Sequence, residues 1–389
     1  MNRDLILVAI SLLIWGIGEG LFYNFQPIYL EQLGADPVRI GAILGAMGVM
    51  MTISHIPAGY LSDRIGRKPV MIVAWFSGIV ATGTMALASS MTVFVVGILL
   101  YGFTLFVISP LNSYVTAARG KWSVGRAFTF IGAAFNLGAV IGPIVGGQIG
   151  DRIGLRTNFF IAAGLFMIST VLIVFIRPQP VEQAEQRRTN YNWIRNQRYL
   201  IYLGVVFLAI FATFLSQPLT PNFLHNERNL SLSWIGPLNA LSGVGTVVLN
   251  LILGFLPVRT GFLIAQAAVG IFALLLWQAT GLPAYVVGFF LLGGFKTTRV
   301  LASAQVRTLV NQASMGLAYG LTETVSSTAT ILAPILAGFL YARVPVWIYV
   351  TSIGLIVISI LVSARFSPVQ DEENTSSERS EVQVPNTGI

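Results

Sequence analysis

Stretches of about twenty apolar residues recur from one end of this chain to the other, separated only by short polar, Gly and Pro clusters. Inside hydrocarbon a backbone must satisfy all of its own N–H and C=O groups, so runs of this length fold as helices that cross a bilayer. Charged residues make up 10% of the chain, whereas soluble domains carry roughly 25%. A water-soluble enzyme is therefore excluded. Divided among twelve spans, 389 residues leave about 32 for each helix and its connection, where a crossing needs about 20. No room is left for a soluble domain. The start, MNRDLILVAISLLIWGIG, has the charge-then-apolar look of a signal peptide, but the apolar run continues to Tyr29 without an Ala-x-Ala-like site. An uncleaved first helix is expected. The chain has no Cys, which removes disulfides and Cys-based metal sites, and no cofactor or metal is expected.

Breaking the chain at its polar clusters predicts spans at 5–31, 38–62, 69–88, 91–117, 125–150, 156–177, 199–224, 231–257, 261–280, 283–309, 314–340 and 345–366. Residues 178–198 carry Arg187, Arg188 and Arg195, with Tyr191 and Trp193 placed as interfacial anchors. They are expected to be a cytoplasmic linker between an N-terminal six-helix bundle (1–177) and a C-terminal one (199–366). Residues 367–389 are polar and acidic, and a disordered cytoplasmic tail is expected there. An even number of spans puts both termini on one side. That side holds sixteen Lys and Arg against five on the other, with two inside spans. Cytoplasmic termini in a multi-pass protein of the cell membrane follow from this asymmetry. It also accounts for the net charge of +8. Positive residues spread over short loops form no nucleic-acid patch, so the lipid bilayer is the expected surrounding and nucleic acid is not a partner.

The two halves resemble each other. Gly59-Tyr60-Leu61-Ser62-Asp63-Arg64-Ile65-Gly66 closes the second span and Gly254-Phe255-Leu256-Pro257-Val258-Arg259-Thr260-Gly261 closes the eighth, 195 positions later. VVGILLYG from Val95 matches VVGFFLLG from Val286, SVGRAF from Ser123 matches SMGLAY from Ser314, and GPIVGG from Gly142 matches APILAG from Ala333, all at an offset of 191. Such order and spacing argue for a duplicated bundle whose repeat axis runs along the membrane normal, with a substrate site at the midplane between halves.

The run from Gly59 to Lys68, GYLSDRIGRK, resembles the loop 2–3 signature of the major facilitator superfamily. On helix 5, Gly138, Gly142, Pro143, Gly146 and Gly147 are similar to the motif of that superfamily's antiporters, with Thr129 where the longer motif has its first Gly. The resemblance implies an all-α membrane protein of twelve transmembrane helices, arranged as two pseudo-symmetric six-helix bundles. It implies that Asp63 holds an inner gate shut by docking near Ser314, with Gly59, Arg64, Gly66, Arg67, Lys68 and Arg119 completing a gating cluster. Val258 replaces the Asp in the second copy, so one half alone can make this latch. Beside the resemblance stands a plainer reading in which the loop's Lys and Arg serve only to orient the chain. The helix 5 stripe likewise reads either as a gate or as simple close packing. If Gly102 is the motif glycine of helix 4, Ile98 stands where many proton-coupled drug exporters bury an Arg, so coupling through that group is not implied.

Four ionisable residues lie within spans: Glu19, Lys296, Arg299 and Glu323. A central charge costs about 2.5 to 3.5 kcal/mol on insertion scales, so each must meet a partner or a watery cavity. Their formal charges sum to zero. Matched depths pair Arg299 with Glu323 as a structural ion pair, while Glu19 and Lys296, from different halves, are expected to face one another across the cavity. Trp15, Glu19, Tyr23 and Gln26 recur at helical spacing on one face of the first span and are candidate substrate contacts. Asn112 and Gln217 join them if helices 1, 4, 7 and 10 line the cavity, as the resemblance implies. Asn222, His55 and Asn136 are weaker signals.

There is no GxxxxGK[ST] loop, no HExxH and no GxSxG, so ATP bound to this chain cannot power transport and no enzyme is indicated. The leading expectation is a proton-coupled exporter of amphiphilic, drug-like compounds with Glu19 as the titrating group, and a single chain as the functional unit. Its small-molecule substrate and protons are the expected partners. An alternative is a carrier of an organic anion held by Lys296 and Arg299. A third is a membrane sensor that keeps the bundle without transporting.

Overall fold

The computed structural model describes residues 2–179, 196–310 and 315–368; the side chains of residues 55–61, 63 and 316 are not described. The linker at 180–195, Ser314 and the tail from 369 lie outside the described residues. Twelve described helices are long and apolar enough to cross a membrane. They are α1 (Arg3–Gln32), α2 (Pro37–Ile65), α3 (Arg67–Leu87), α4 (Met91–Ala118), α5 (Val124–Arg152) and α6 (Leu155–Val174) in the first half. The second half holds α7 (Gln197–Phe214), α8 (Leu232–Leu253), α9 (Val258–Gln278), α10 (Leu282–Val306), α11 (Met315–Arg343) and α12 (Trp347–Phe366). The face where the described chain starts and ends carries most of the Lys and Arg and is called the basic face below; the other is the distal face.

The expected spans 5–31, 91–117, 199–224 and 283–309 are not uninterrupted rods, and proline and glycine chemistry explains why. Pro27 lacks an N–H and its ring crowds the carbonyl four residues back, so α1 passes through a 3-10 turn at Tyr23–Phe25 before the tip Gln26–Gln32. Pro218 and Pro221 act alike in the other half, where α7 stops and the tip helix Thr220–Asn226 follows. Helix α4 tightens to 3-10 at Thr104–Val107 ahead of Pro110, and α10 is interrupted at Gly293. The first and fourth helices of each half are thus broken at corresponding places.

Each bundle is held by apolar packing and a few polar clamps. In the first half the Trp75 indole N–H donates to the Ser11 and Ser169 hydroxyls at 3.0 and 2.8 Å, tying α1, α3 and α6 together. In the second, the Tyr199 and Tyr202 hydroxyls donate to the carbonyls of Ala318 and Ala302 at 2.8 and 2.7 Å, anchoring α7 to α11 and α10. Interhelical hydrogen bonds in membranes average about 0.6 kcal/mol, so these fix register more than they drive association. The outer surface of the spans is apolar, with Leu361 65% and Phe76 58% exposed, as lipid contact requires.

The halves meet through α2 on α11 and α5 on α8. Their backbones touch at glycines: a Cβ on Gly41 would strike the Pro334 carbonyl, one on Gly338 the Pro37 carbonyl, and ones on Gly147 and Gly236 the carbonyls of Leu232 and Pro143. These positions all lie toward the distal ends of their helices. Among the described residues, the closest backbone contacts between the bundles therefore lie toward the distal face.

Candidate transport site

Glu19 sits near the centre of α1, ahead of its break, and Lys296 near the centre of α10, just past the Gly293 interruption. Lys296 lies deep among protein atoms yet its side chain is exposed, the combination expected of a residue lining a wet cavity. Glu19 and Lys296 act on one another electrostatically across the two halves but do not touch. The Tyr101 hydroxyl and the Trp15 indole N–H are in polar reach of the Glu19 carboxylate, and Tyr23 is close enough to feel its charge. Arg299 and Glu323 form a closed ion pair between α10 and α11, a second contact of 3.4 Å joining Arg299 Nε to the other carboxylate oxygen. Their side chains remain 34% and 53% accessible. One acid and one base are therefore in contact, and the other acid and base interact electrostatically without contact.

The expected face of α1 divides in the structure. Trp15 stacks on Phe166 at 3.9 Å, meets Trp75 edge-on at 5.4 Å and presses its ring against Gly78, so most of the indole packs against α3 and α6 while its N–H reaches Glu19. Gln26 is 1% exposed, and its amide nitrogen lacks a hydrogen-bond partner. It begins the tip helix that follows the 3-10 turn and is buried there. Asn112 is exposed on α4, and the half-buried Gln217, in the break after α7, donates to the Thr213 carbonyl near the end of that helix at 2.8 Å. A cavity of about 360 Å³ beside Arg259, Gln305 and Thr308 at the basic face holds none of the embedded charges.

The side chains of Asp63 and His55, and the surroundings of Gly59, lie outside the described residues. Gly66 takes φ 90° and joins α2 to α3, a conformation that disfavours any residue with a Cβ. The Arg67 guanidinium donates to Gln179 Oε1 at 3.0 Å, Arg119 donates to the Thr116 carbonyl at 2.8 Å, Arg64 is exposed and Lys68 is half-buried. Along α5, Gly138, Gly142 and Gly146 press on the α1 backbone and Pro143 on Gly20, while Gly147 turns to α8. The stripe serves close packing within the first bundle and contact between bundles.

Three groups were missed by sequence reasoning. Tyr101 is one, and its signal was a hydroxyl in VVGILLYG where the matching repeat VVGFFLLG has Leu292. The second is Glu31 on the α1 tip, which accepts from Asn222 Nδ2 at 2.6 Å and from Asn226 Nδ2 at 2.8 and 3.0 Å on the α7 tip. The third is Asp151 at the end of α5, whose carboxylate accepts from the backbone N–H groups of Leu232 and Ser233 at 2.9 and 2.7 Å. Both acids bridge the halves at the distal face.

Two six-helix bundles with broken first and fourth helices and ionisable residues within their spans are the architecture of a membrane transporter. The sequence model of the Major Facilitator Superfamily matches residues 8–261 and 202–386, and this chain belongs to that family. It is 24% identical to the class B tetracycline resistance protein of Escherichia coli over 98% of this chain and 100% of that one. Multidrug resistance protein 2 of Bacillus subtilis is 22% identical, over 86% and 88% of the two chains. An uncharacterized transporter of the same type from Methanocaldococcus jannaschii is 27% identical, across 44% of this chain and about half, 45%, of its own length. Among solved structures, the nucleoside transporter NupG superposes with a TM-score of 0.79 at 17% identity, covering 94% of this chain and 98% of that one. A bacterial homolog of the human lysosomal transporter Spinster, in an inward-facing and occupied conformation, gives 0.71 at 13% identity over 93% and 95%. These likenesses carry the fold. The protein is a multi-pass membrane transporter rather than an enzyme.

Proposed function

We propose that this transporter is a proton-coupled exporter of amphiphilic or drug-like compounds, working as a single chain in the cell membrane with cytoplasmic termini. The observation that carries the reading is the relation of Glu19 and Lys296: an acid and a base from opposite halves, interacting without contact. Rocking of the halves changes their separation, so the proton affinity of Glu19 is linked to which face the cavity opens to. The aromatic surroundings of Glu19 suit an apolar body with a polar handle, and full-length similarity to tetracycline and multidrug resistance proteins supports export. The site proposed to meet substrate is Glu19, Tyr23, Tyr101 and Lys296, with Asn112, Gln217 and the edge of Trp15 at its margin. The gating cluster around Asp63 remains part of the proposal.

A second reading is favoured by one observation: Lys296 is an exposed cation within the span α10 with no ion-pair or hydrogen-bond partner among the described residues. It could hold a carboxylate or phosphate. Because Arg299 is taken by Glu323, that reading narrows from a two-residue clamp to Lys296 alone.

The test is reconstitution into proteoliposomes with an imposed pH gradient, an internal pH indicator and a panel of cationic, neutral and anionic solutes. Proton movement tied to amphiphilic cations, abolished for gradient-driven transport but not for exchange in Glu19→Gln, is the expected outcome. Full coupling in that variant removes Glu19 from the mechanism. Loss of anion transport alone in Lys296→Ala favours the carrier of anions, and absence of any flux favours a sensor.

A further inference from the structure

The four residues Asp63-Arg64-Ile65-Gly66 that close α2 at the basic face occur again as Asp151-Arg152-Ile153-Gly154, which close α5 at the distal face. The likeness extends to the backbone. Gly66 has φ 90° and ψ 159°, Gly154 has φ 103° and ψ 150°, and each is the residue from which the next helix, α3 or α6, begins. Both preceding helices are 29 residues long. The two loops therefore relate the first three helices to the second three as an inverted copy, one turn at each face of the membrane.

At the distal copy the partners of the acid are visible. Asp151 reaches across from the first half and accepts the backbone N–H groups of Leu232 and Ser233, two of the unsatisfied donors at the start of α8, with the hydroxyls of Ser231 and Ser233 also in reach. A carboxylate on a helix N-terminus is favoured by both the free donors and the helix dipole. Beside it, the close backbone contacts of Gly147 with Leu232 and of Gly236 with Pro143 need the two helices to stay in register. The second half has no acid at either corresponding turn: Val258 stands after α8, and Ala342 near the end of α11. The first half supplies carboxylates and the second half supplies helix starts.

We propose that Asp151 is a distal latch, the inverted counterpart of the Asp63 loop, which holds the distal face shut and must release α8 for the cavity to open there. The proposal rests on alternating access, not on which solute is carried. The absence of native Cys allows a direct test. Leu87→Cys and Thr280→Cys, both exposed at distal ends of opposite halves, carry spin labels for distance measurement in lipid nanodiscs. In Asp151→Asn and Asp151→Ala the ratio of long to short distances rises about threefold or more, while Asp151→Glu stays near the parent. Asp63→Asn, in the basic-face copy, moves the ratio the opposite way. An unchanged ratio in folded Asp151 variants overturns the latch, and a shift of the same sign in Asp63→Asn overturns the inverted correspondence. Failure of proton coupling in flux assays leaves both results unaffected.

Discussion

Glu31 on the α1 tip and Asn226 on the α7 tip stand 195 positions apart, the separation at which Gly59 repeats as Gly254, and Asn222 donates to the Pro27 carbonyl across the same interval. Equivalent residues of the two repeats therefore touch at the axis relating the halves. On such an axis an unmodified duplication would set Glu against Glu, and like charges at hydrogen-bonding distance repel. Replacing one by Asn turns repulsion into donation. This makes a sharp prediction: Asn226→Asp loosens the distal contact and lowers transport, while the exchange Glu31→Asn with Asn226→Glu restores it, because the positions are interchangeable by symmetry. Hydrogen bonds to a charged group contribute about 1.5 to 3 kcal/mol, so the single variant shifts the closed population roughly tenfold or more. Distances across the distal face report the result, and an exchange variant no better than Asn226→Asp denies the symmetry argument. The Arg299 and Glu323 pair is a different case. With both side chains partly accessible, it contributes on the order of 0 to 1 kcal/mol, enough to neutralise two charges at the cavity wall but not to hold the bundles together.

Glycines decide how closely the helices approach, and α5 uses its own for two purposes. A methyl on Gly138 meets the α1 backbone within one bundle, whereas a methyl on Gly147 meets Leu232 of the other bundle. Overpacking costs typically 1 to 3 kcal/mol, but where it falls differs. Gly138→Ala is expected to lower the thermal stability of the purified protein by several degrees without changing the ratio of conformers. Gly147→Ala is expected to leave stability nearly intact and to shift distal distances outward. Equal effects of the two on melting would contradict the division. At this scale the sequence was readable where hydrophobicity or repetition marked it: the twelve helices, their approximate bounds and the two related halves follow from run length and offset. The breaks in α1, α4, α7 and α10 were not read, although Pro27, Pro110, Pro221 and Gly293 mark them, because apolar runs cross the kinks without interruption. The packing of Trp15 against α3 and α6 and the burial of Gln26 were likewise invisible, since both depend on what neighbouring helices bring to them. Asp151 and Glu31 were legible only as polar ends of spans; their partners lie 81 and 191 or more positions away.

Taken as one body, the molecule joins its halves at the distal face and leaves Lys296 accessible, while twelve of the described Lys and Arg lie at the basic face. Positive residues near short loops are retained on the cytoplasmic side during insertion, so the proposed orientation puts the joined distal face outside. Because the chain contains no Cys, a single Lys296→Cys reports orientation and conformation together. In inverted vesicles, where the basic face is outward, a membrane-impermeant maleimide is expected to label it. In intact cells the same position is expected to be protected until the distal contacts are loosened, so combining it with Asp151→Asn should restore labelling from outside. The two measurements separate cleanly. Labelling from outside in the otherwise unaltered protein means either reversed insertion or a distal-open resting state, and a reporter fused to the C-terminus distinguishes these: fluorescence of a cytoplasmic reporter retains the orientation and discards the resting state, while its absence discards the orientation. Protection in both preparations would mean that Lys296 is sealed on both sides, and would remove the wet cavity on which the pairing of Glu19 with Lys296 depends.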